Sequence, residues 1–143
     1  MKANELMIGD WVQFAEGKQM TMWDNTTQFK VGCICQSRIG AIGGGSYTSS
    51  NIPIDCIMPV RLTEEMLLLN NFCLVKKWDD INTNLYGWGG LTDFTLHWKT
   101  NDRRIIESFG GAQVDIEYVH ELQNFLRCIG LNQYADNFKI KED

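Results

Sequence analysis

The stretch Val114 to Leu131, VDIEYVHELQNFLRCIGL, decides the reading of the fold. It reads as a short strand running straight into an amphipathic helix. Tyr118, Val119, Leu122, Phe125, Leu126 and Ile129 fall at the three-and-four spacing of one helical face, and Glu117, Glu121, Gln123, Asn124 and Arg127 fall on the other. Gly130 stands where the chain must turn left-handed to leave the helix. Leu131 stands where a Schellman cap sets an apolar contact back onto the last turn. The stretch also holds His120, one of two histidines in the chain.

Immediately upstream, the pattern changes from helical to alternating. Phe94, Leu96 and Trp98 point to one side of a strand over Thr92 to Lys99, with Thr95, His97 and Lys99 on the other. Thr100-Asn101-Asp102 turns the chain, Arg103 to Phe109 returns as the partner strand, and Gly110-Gly111 turns it again into Val114 and Ile116. Asp79 to Gly90 reads as a polar connection with exposed aromatics at Tyr86 and Trp88, after a strand over Phe72 to Trp78. Leu62-Thr63-Glu64-Glu65 is a helix start: Thr63 is the N-cap, the glutamates oppose the positive helix end, and Leu62 staples onto Leu67. Asn70-Asn71 stops it.

In the first sixty residues, Gly9-Asp10 signals a turn before an alternating Val12 and Phe14, and Gly17 marks a hairpin. Met20, Met22 and Trp23 suggest a second strand, and Phe29 to Arg38 a third, with Phe29, Val31, Cys33 and Cys35 on one side. Gly40 to Asn51, with three consecutive glycines, reads as a loop. Pro53 and Pro59 mark a sheet edge or the ends of a strand. The pattern Leu6-x-x-Gly9-Asp10-x-Val12 resembles the entry to small SH3-like barrels, including the KOW and Tudor types. The expected architecture is α+β: an SH3-like small β-barrel over residues 1–60, then residues 61–143 as a helix, an antiparallel β-meander and a C-terminal helix sharing one core.

Composition bounds the function. A content of 44% hydrophobic and 22% charged residues is ordinary for a globular domain, and no run is long enough to span a bilayer. The segment MKANELMIGDWV lacks the apolar core of a signal peptide, so a cytoplasmic protein is expected. Five scattered cysteines then read as reduced thiols, packed as small hydrophobes. Residues 1–60 carry four basic and five acidic groups and the remainder nine and thirteen, which disfavours non-specific nucleic-acid binding while leaving room for a local basic patch.

Candidate chemistry is sparse. Glu117, His120 and Glu121 lie one helical turn apart, yet His-Glu-Leu-Gln-Asn lacks the second histidine of a zincin helix, and such a trio is more often a solvated face. Cys33-x-Cys35 with Cys56 has the wrong spacing and too few ligands for structural zinc, so no metal is expected. Gly43, Gly44 and Gly45 lack the Lys-Ser/Thr of a phosphate-binding loop, though glycine amides can nest an anion. Tyr86, Trp88, Lys99, Arg103 and Arg104 form a candidate basic-aromatic patch.

Three segments, KANELMIGDWV, PVRLTEEMLLLNNF and VDIEYVHELQNFLRCIGL, resemble in that order a group of short uncharacterised proteins encoded by gut anaerobic bacteria, their phages and mobile elements. The match runs through Lys2, Glu5, Leu6, Gly9, Asp10, Trp11 and Val12, then Pro59, Val60, Leu62, Thr63, Glu64, Glu65 and Leu67, then Tyr118 to Asn124. The resemblance implies a phage or mobile-element origin and a bacterial cytoplasm; no activity comes with it. The expectation is a non-catalytic binding or adaptor protein without a cofactor, whose partner is a protein or a small ligand, with a homo-oligomer allowed. Its candidate ligand-binding residues are Gly43, Gly44, Gly45, Trp88, Arg103 and Arg104, and its candidate docking or polar surface is Glu117, His120, Glu121 and Asn124. The alternatives are a protein that sequesters a nucleotide signal in host–phage conflict, and a hydrolase using His120 and Glu121.

Overall fold

The computed structural model describes residues 1–18, 28–42, 48–88, 91–109 and 112–142. They form two compact units, each drawn from two segments of chain. The first comprises Met1–Val60 and Val119–Asp136; the second comprises Arg61–Tyr118 and Asn137–Asp143. The α+β class holds, with two antiparallel sheets and a few short helices.

The first unit is built on β1 (Trp11–Phe14), β2 (Gln28–Cys35), β3 (Arg38–Ile42), β4 (Thr48–Pro53) and β5 (Ile57–Pro59), in the order β4-β3-β2-β1-β5. Val12 and Phe14 alternate inward as expected, and Phe14 meets Phe29 at 4.9 Å between ring centroids. Val31, Ile39, Ala41 and Ile52 complete a core from which water is excluded. Fully burying a side chain of this size contributes about 2 kcal/mol. The proline-bearing β4 and β5 are the edges, where a missing N–H costs no ladder bond. Among the described residues this sheet is open, and the small closed barrel expected over residues 1–60 is not formed.

Three expectations here are corrected. The run Phe29 to Arg38 is two strands, because Gln36 takes a left-handed φ of 52° and turns β2 back into β3. Gly40–Ile42 and Thr48–Asn51 belong to strands, not to a loop; a register shift between Ile39 and Ala41 accommodates Gly40. Cys33 and Cys35 are exposed, as are Cys73 and Cys128, while Cys56 is half-buried. A second register shift, between Val31 and Cys33, breaks the alternation that would have carried both thiols inward. The strand expected at Met20, Met22 and Trp23 lies outside the described residues.

The same unit contains α2 (Val119–Cys128) and α3 (Asn132–Asp136). Helix α2 ends as its sequence predicts: Leu131 N–H donates to Leu126 O at 2.8 Å and Gly130 N–H to Arg127 O at 3.1 Å, with Gly130 at φ +86°. These are the two bonds of a Schellman cap.

The second unit is a meander of β6 (Phe72–Trp78), β7 (Thr83–Trp88), β8 (Leu91–Lys99), β9 (Arg104–Phe109) and β10 (Ala112–Ile116), in the order β10-β9-β8-β7-β6. Helix α1 (Glu64–Leu69) starts at Thr63, whose hydroxyl accepts from Met66 N–H at 3.3 Å. Its Leu67 is fully buried, and Glu64 accepts a hydrogen bond from Asn84 of β7 at 2.9 Å. At its C-terminal end the Asn70 amide clamps the returning chain, donating to Lys139 O and accepting from Lys139 N–H, each at 2.7 Å. Leu96, Trp98, Ile105 and Ile116 are buried on the face that α1 covers.

Gly130→Ala is expected to destabilise the protein by about 1 kcal/mol through left-handed strain alone, since an added Cβ meets nothing within 4 Å. A urea-denaturation midpoint equal to that of the parent would contradict this.

Candidate functional site

The motifs at the two ends of the chain meet in the first unit. Gln123, fully buried on α2, accepts from Trp11 N–H at 2.9 Å and donates to Gly9 O at 3.0 Å and to Ala135 O at 2.8 Å. Asn124 donates to Glu5 O at 3.2 Å. Arg127 donates to Asp10 at 2.5 Å, to Asn124 at 2.8 Å and to Asp136 at 3.2 Å, and Asp10 also accepts from Met7 N–H at 2.8 Å. Gly9 takes φ +93°, and a Cβ there would stand 3.0 Å from the Arg127 guanidinium. The N-terminal residues 5–11 and the α2 residues Gln123, Asn124 and Arg127 thus supply the two halves of one hydrogen-bonded joint.

His120 lies inside this region and is 5% exposed, not on the solvated helix face expected of it. Burial pushes its imidazole below the ordinary 6.5, against the opposing pull of Glu121, Asp10 and Glu5. Burial also lifts the Asp10 carboxyl above its usual range, despite the lowering exerted by Arg127 and by Met7 N–H. Glu121 is half-buried, and Glu117 belongs to the second unit, where it pairs with Arg61. The four residues of the candidate docking surface therefore do not form one exposed edge.

The basic-aromatic patch is also rearranged. Tyr86 and Trp88, expected in an exposed connection, lie on β7 and are 3% and 7% exposed. Trp88 packs on Phe72 at 4.9 Å. Burial, with the negative charge and hydrogen bond of Glu64, pushes the Tyr86 phenol up to about 12. Arg103, at a left-handed φ of 52°, lines a cleft of about 400 Å³ with Arg61, Thr63, Glu64, Glu65 and Trp98. In that cleft the two cations are offset by two carboxylates. Gly43, Gly44 and Gly45 lie outside the described residues.

What the second sheet does assemble is a different basic-aromatic surface, on the face opposite α1. Cross-strand register places Trp78, Thr83, Lys99 and Arg104 in one row, and Lys76, Leu85 and His97 in the next. A register shift between Leu74 and Lys76 makes this possible. Without that extra residue, strand alternation would turn Lys76 and Trp78 to the α1 side. Trp78 and His97 stack with centroids 6.1 Å apart and planes 13° apart, and the Lys76 ammonium stands 5.1 Å from the Trp78 ring.

The His97 imidazole is held from beneath. Glu107 accepts from His97 N–H at 2.5 Å and faces its Nδ1 at 3.0 Å. That carboxylate fixes the ring and favours a proton on Nδ1, leaving Nε2 for an outside partner. Lys99 is braced by Thr83 Oγ1 at 2.8 Å, with two further N–H donors to offer. The Arg104 Nε is buried with no hydrogen-bond partner among the described residues. This face can stack planar groups and neutralise anions. Among the described residues no cluster of three or more His, Cys, Asp or Glu side chains could hold a metal ion, and no helix is long and apolar enough to cross a membrane.

Comparison with protein-family models, with curated proteins and with solved structures finds no match to this chain.

Two outcomes test the joint. Gln123→Ala strands three backbone groups, one buried at Ala135 and two half-buried at Trp11 and Gly9, and is expected to cost about 2 kcal/mol or more in urea unfolding; a loss within experimental error would show that the groups find other partners. For His120, the unfolded chain takes up a proton near 6.5 while the folded chain resists it until lower pH. Its contribution to stability is therefore complete above that value and is lost as the pH falls through it. The urea midpoint is expected to drop between about pH 7.5 and about pH 5.5, with a shallower drop in His120→Asn. Equal slopes in the two proteins would remove His120 as the cause.

Proposed function

We propose that this chain is a non-catalytic binding or adaptor protein whose contact surface is the outer face of β6 to β9. The observation that carries the reading is the Trp78–His97 stack set among Lys76, Lys99 and Arg104 on one sheet face. The first unit serves as a scaffold under this reading. Its strand order, with β5 returning beside β1 and a short 3-10 turn at Ile54–Cys56 before it, supports an SH3-like arrangement. A phage or mobile-element origin rests on the resemblance of the Lys2–Val12, Pro59–Leu67 and Tyr118–Asn124 motifs.

Native mass spectrometry of protein purified from the cells that produce it tests the reading. The parent is expected to retain a bound species that the Lys76→Glu/Arg104→Glu variant loses. Indistinguishable spectra from the two folded proteins would sink it.

A further inference from the structure

We propose that the outer face of β6 to β9 binds single-stranded nucleic acid, with bases stacking at Trp78 and His97 and backbone phosphates received by Lys99 and Arg104. This rests on the binding reading above and supplies its ligand class.

Charge selects an anion. Lys76, Lys99 and Arg104 share the face, while Glu107 is taken up by His97 and Asp115 stands at the far edge on β10, bonded by Gln113 at 2.9 Å. The rings select planarity. An acidic peptide could satisfy the three cations but would leave the Trp78 and His97 surfaces without the stacking they offer, whereas every base has a π-face.

Shape selects a strand over a free nucleotide. The His97 side chain is 41% exposed and Lys76 is exposed, so the stack lies open at the surface. An open face buries little of a small ligand but can follow an extended chain, and the row from Trp78 to Arg104 crosses four adjacent strands, about 14 Å at ordinary strand spacing. The placement of rings and cations on successive strands repeats the physics by which exposed sheets bind unpaired bases.

Few phosphates are engaged. Three cations imply a slope of about −2 for log affinity against log salt. The chain's net charge of −5 opposes longer contacts, which keeps the footprint local.

The test is fluorescence anisotropy of the full chain with labelled single-stranded oligonucleotides of about ten nucleotides, within the footprint of sheet-based binders. Saturable binding with that shallow salt slope is expected, weaker for a duplex of the same length. Trp78→Ala is expected to weaken it about ten-fold or more. Lys76→Glu, at an exposed position where folding is not at risk, is expected to weaken it several-fold and to flatten the salt slope. Circular dichroism establishes that both variants fold. Equal affinity of parent and both variants would overturn the inference, as would the absence of saturable binding to any oligonucleotide. An acidic peptide that binds where oligonucleotides do not would overturn the nucleic-acid assignment and leave the binding reading standing; if neither binds, the nucleic-acid assignment falls and the binding reading is decided by the native mass spectra.

Discussion

The side-chain amide of Gln123 is the interaction on which the first unit depends. Its oxygen and both its N–H groups are used, on backbone atoms of Trp11, Gly9 and Ala135. A buried amide whose oxygen and both N–H groups are bonded tolerates neither rotation of α2 nor a slip of the chain at Gly9. An apolar side chain there could bury as much surface, yet it would hold the helix in no particular register. Arg127 works beside it in the same manner, tying the turn at Ile8 and Asp10 to the helix and to Asp136. The first unit thus gains specificity from polar contacts laid over an apolar core of Val12, Phe14, Phe29 and Val31.

The second unit divides its labour between the two faces of one sheet. Its α1 face is filled by the buried Tyr86, Trp88, Leu96 and Trp98. Side chains on the other face are held in place by neighbouring residues. Glu107 holds His97, Thr83 holds Lys99, and the ring of Trp78 lies against both His97 and the Lys76 ammonium. A single inserted residue in β6 brings Lys76 and Trp78 onto this surface. A local irregularity of backbone register therefore determines its chemistry.

Sequence reading reached the elements with clean periodicity. The α2 stripe with its Gly130 stop, the Thr63 cap and the alternation of Leu96 and Trp98 all stand in the structure. It missed β7 because nearly every residue from Thr83 to Trp88 is buried, so no alternation marks the strand. Gln123 and His120 looked like surface positions because their type is usually exposed. Backbone partners at Trp11 and Gly9, more than one hundred residues away, together with Ala135 make the burial of Gln123 tolerable, and spacing along a chain does not reveal the distant two. The register shifts in β2 and β6 are single-residue events that reverse every later side chain in their strands. They exposed the thiols expected in the core, and they brought Trp78 to a surface on which only Lys99 and Arg104 of the expected basic-aromatic patch stand.

The interleaving of the two units bears on how the chain is made. Neither unit is a contiguous segment, for the first closes only with Val119–Asp136 and the second only with Asn137–Asp143. On a ribosome adding about 5 to 20 residues per second, the sheet of the first unit emerges long before α2 can complete it. Its acceptors at Gly9 and its donor at Trp11 must stay solvated through the synthesis of the whole meander. Final assembly of both units therefore waits on the synthesis of Val119–Asp136 and Asn137–Asp143. Division of the gene near residue 60 leaves the first half without α2 and α3, while the second half keeps both segments of its own unit.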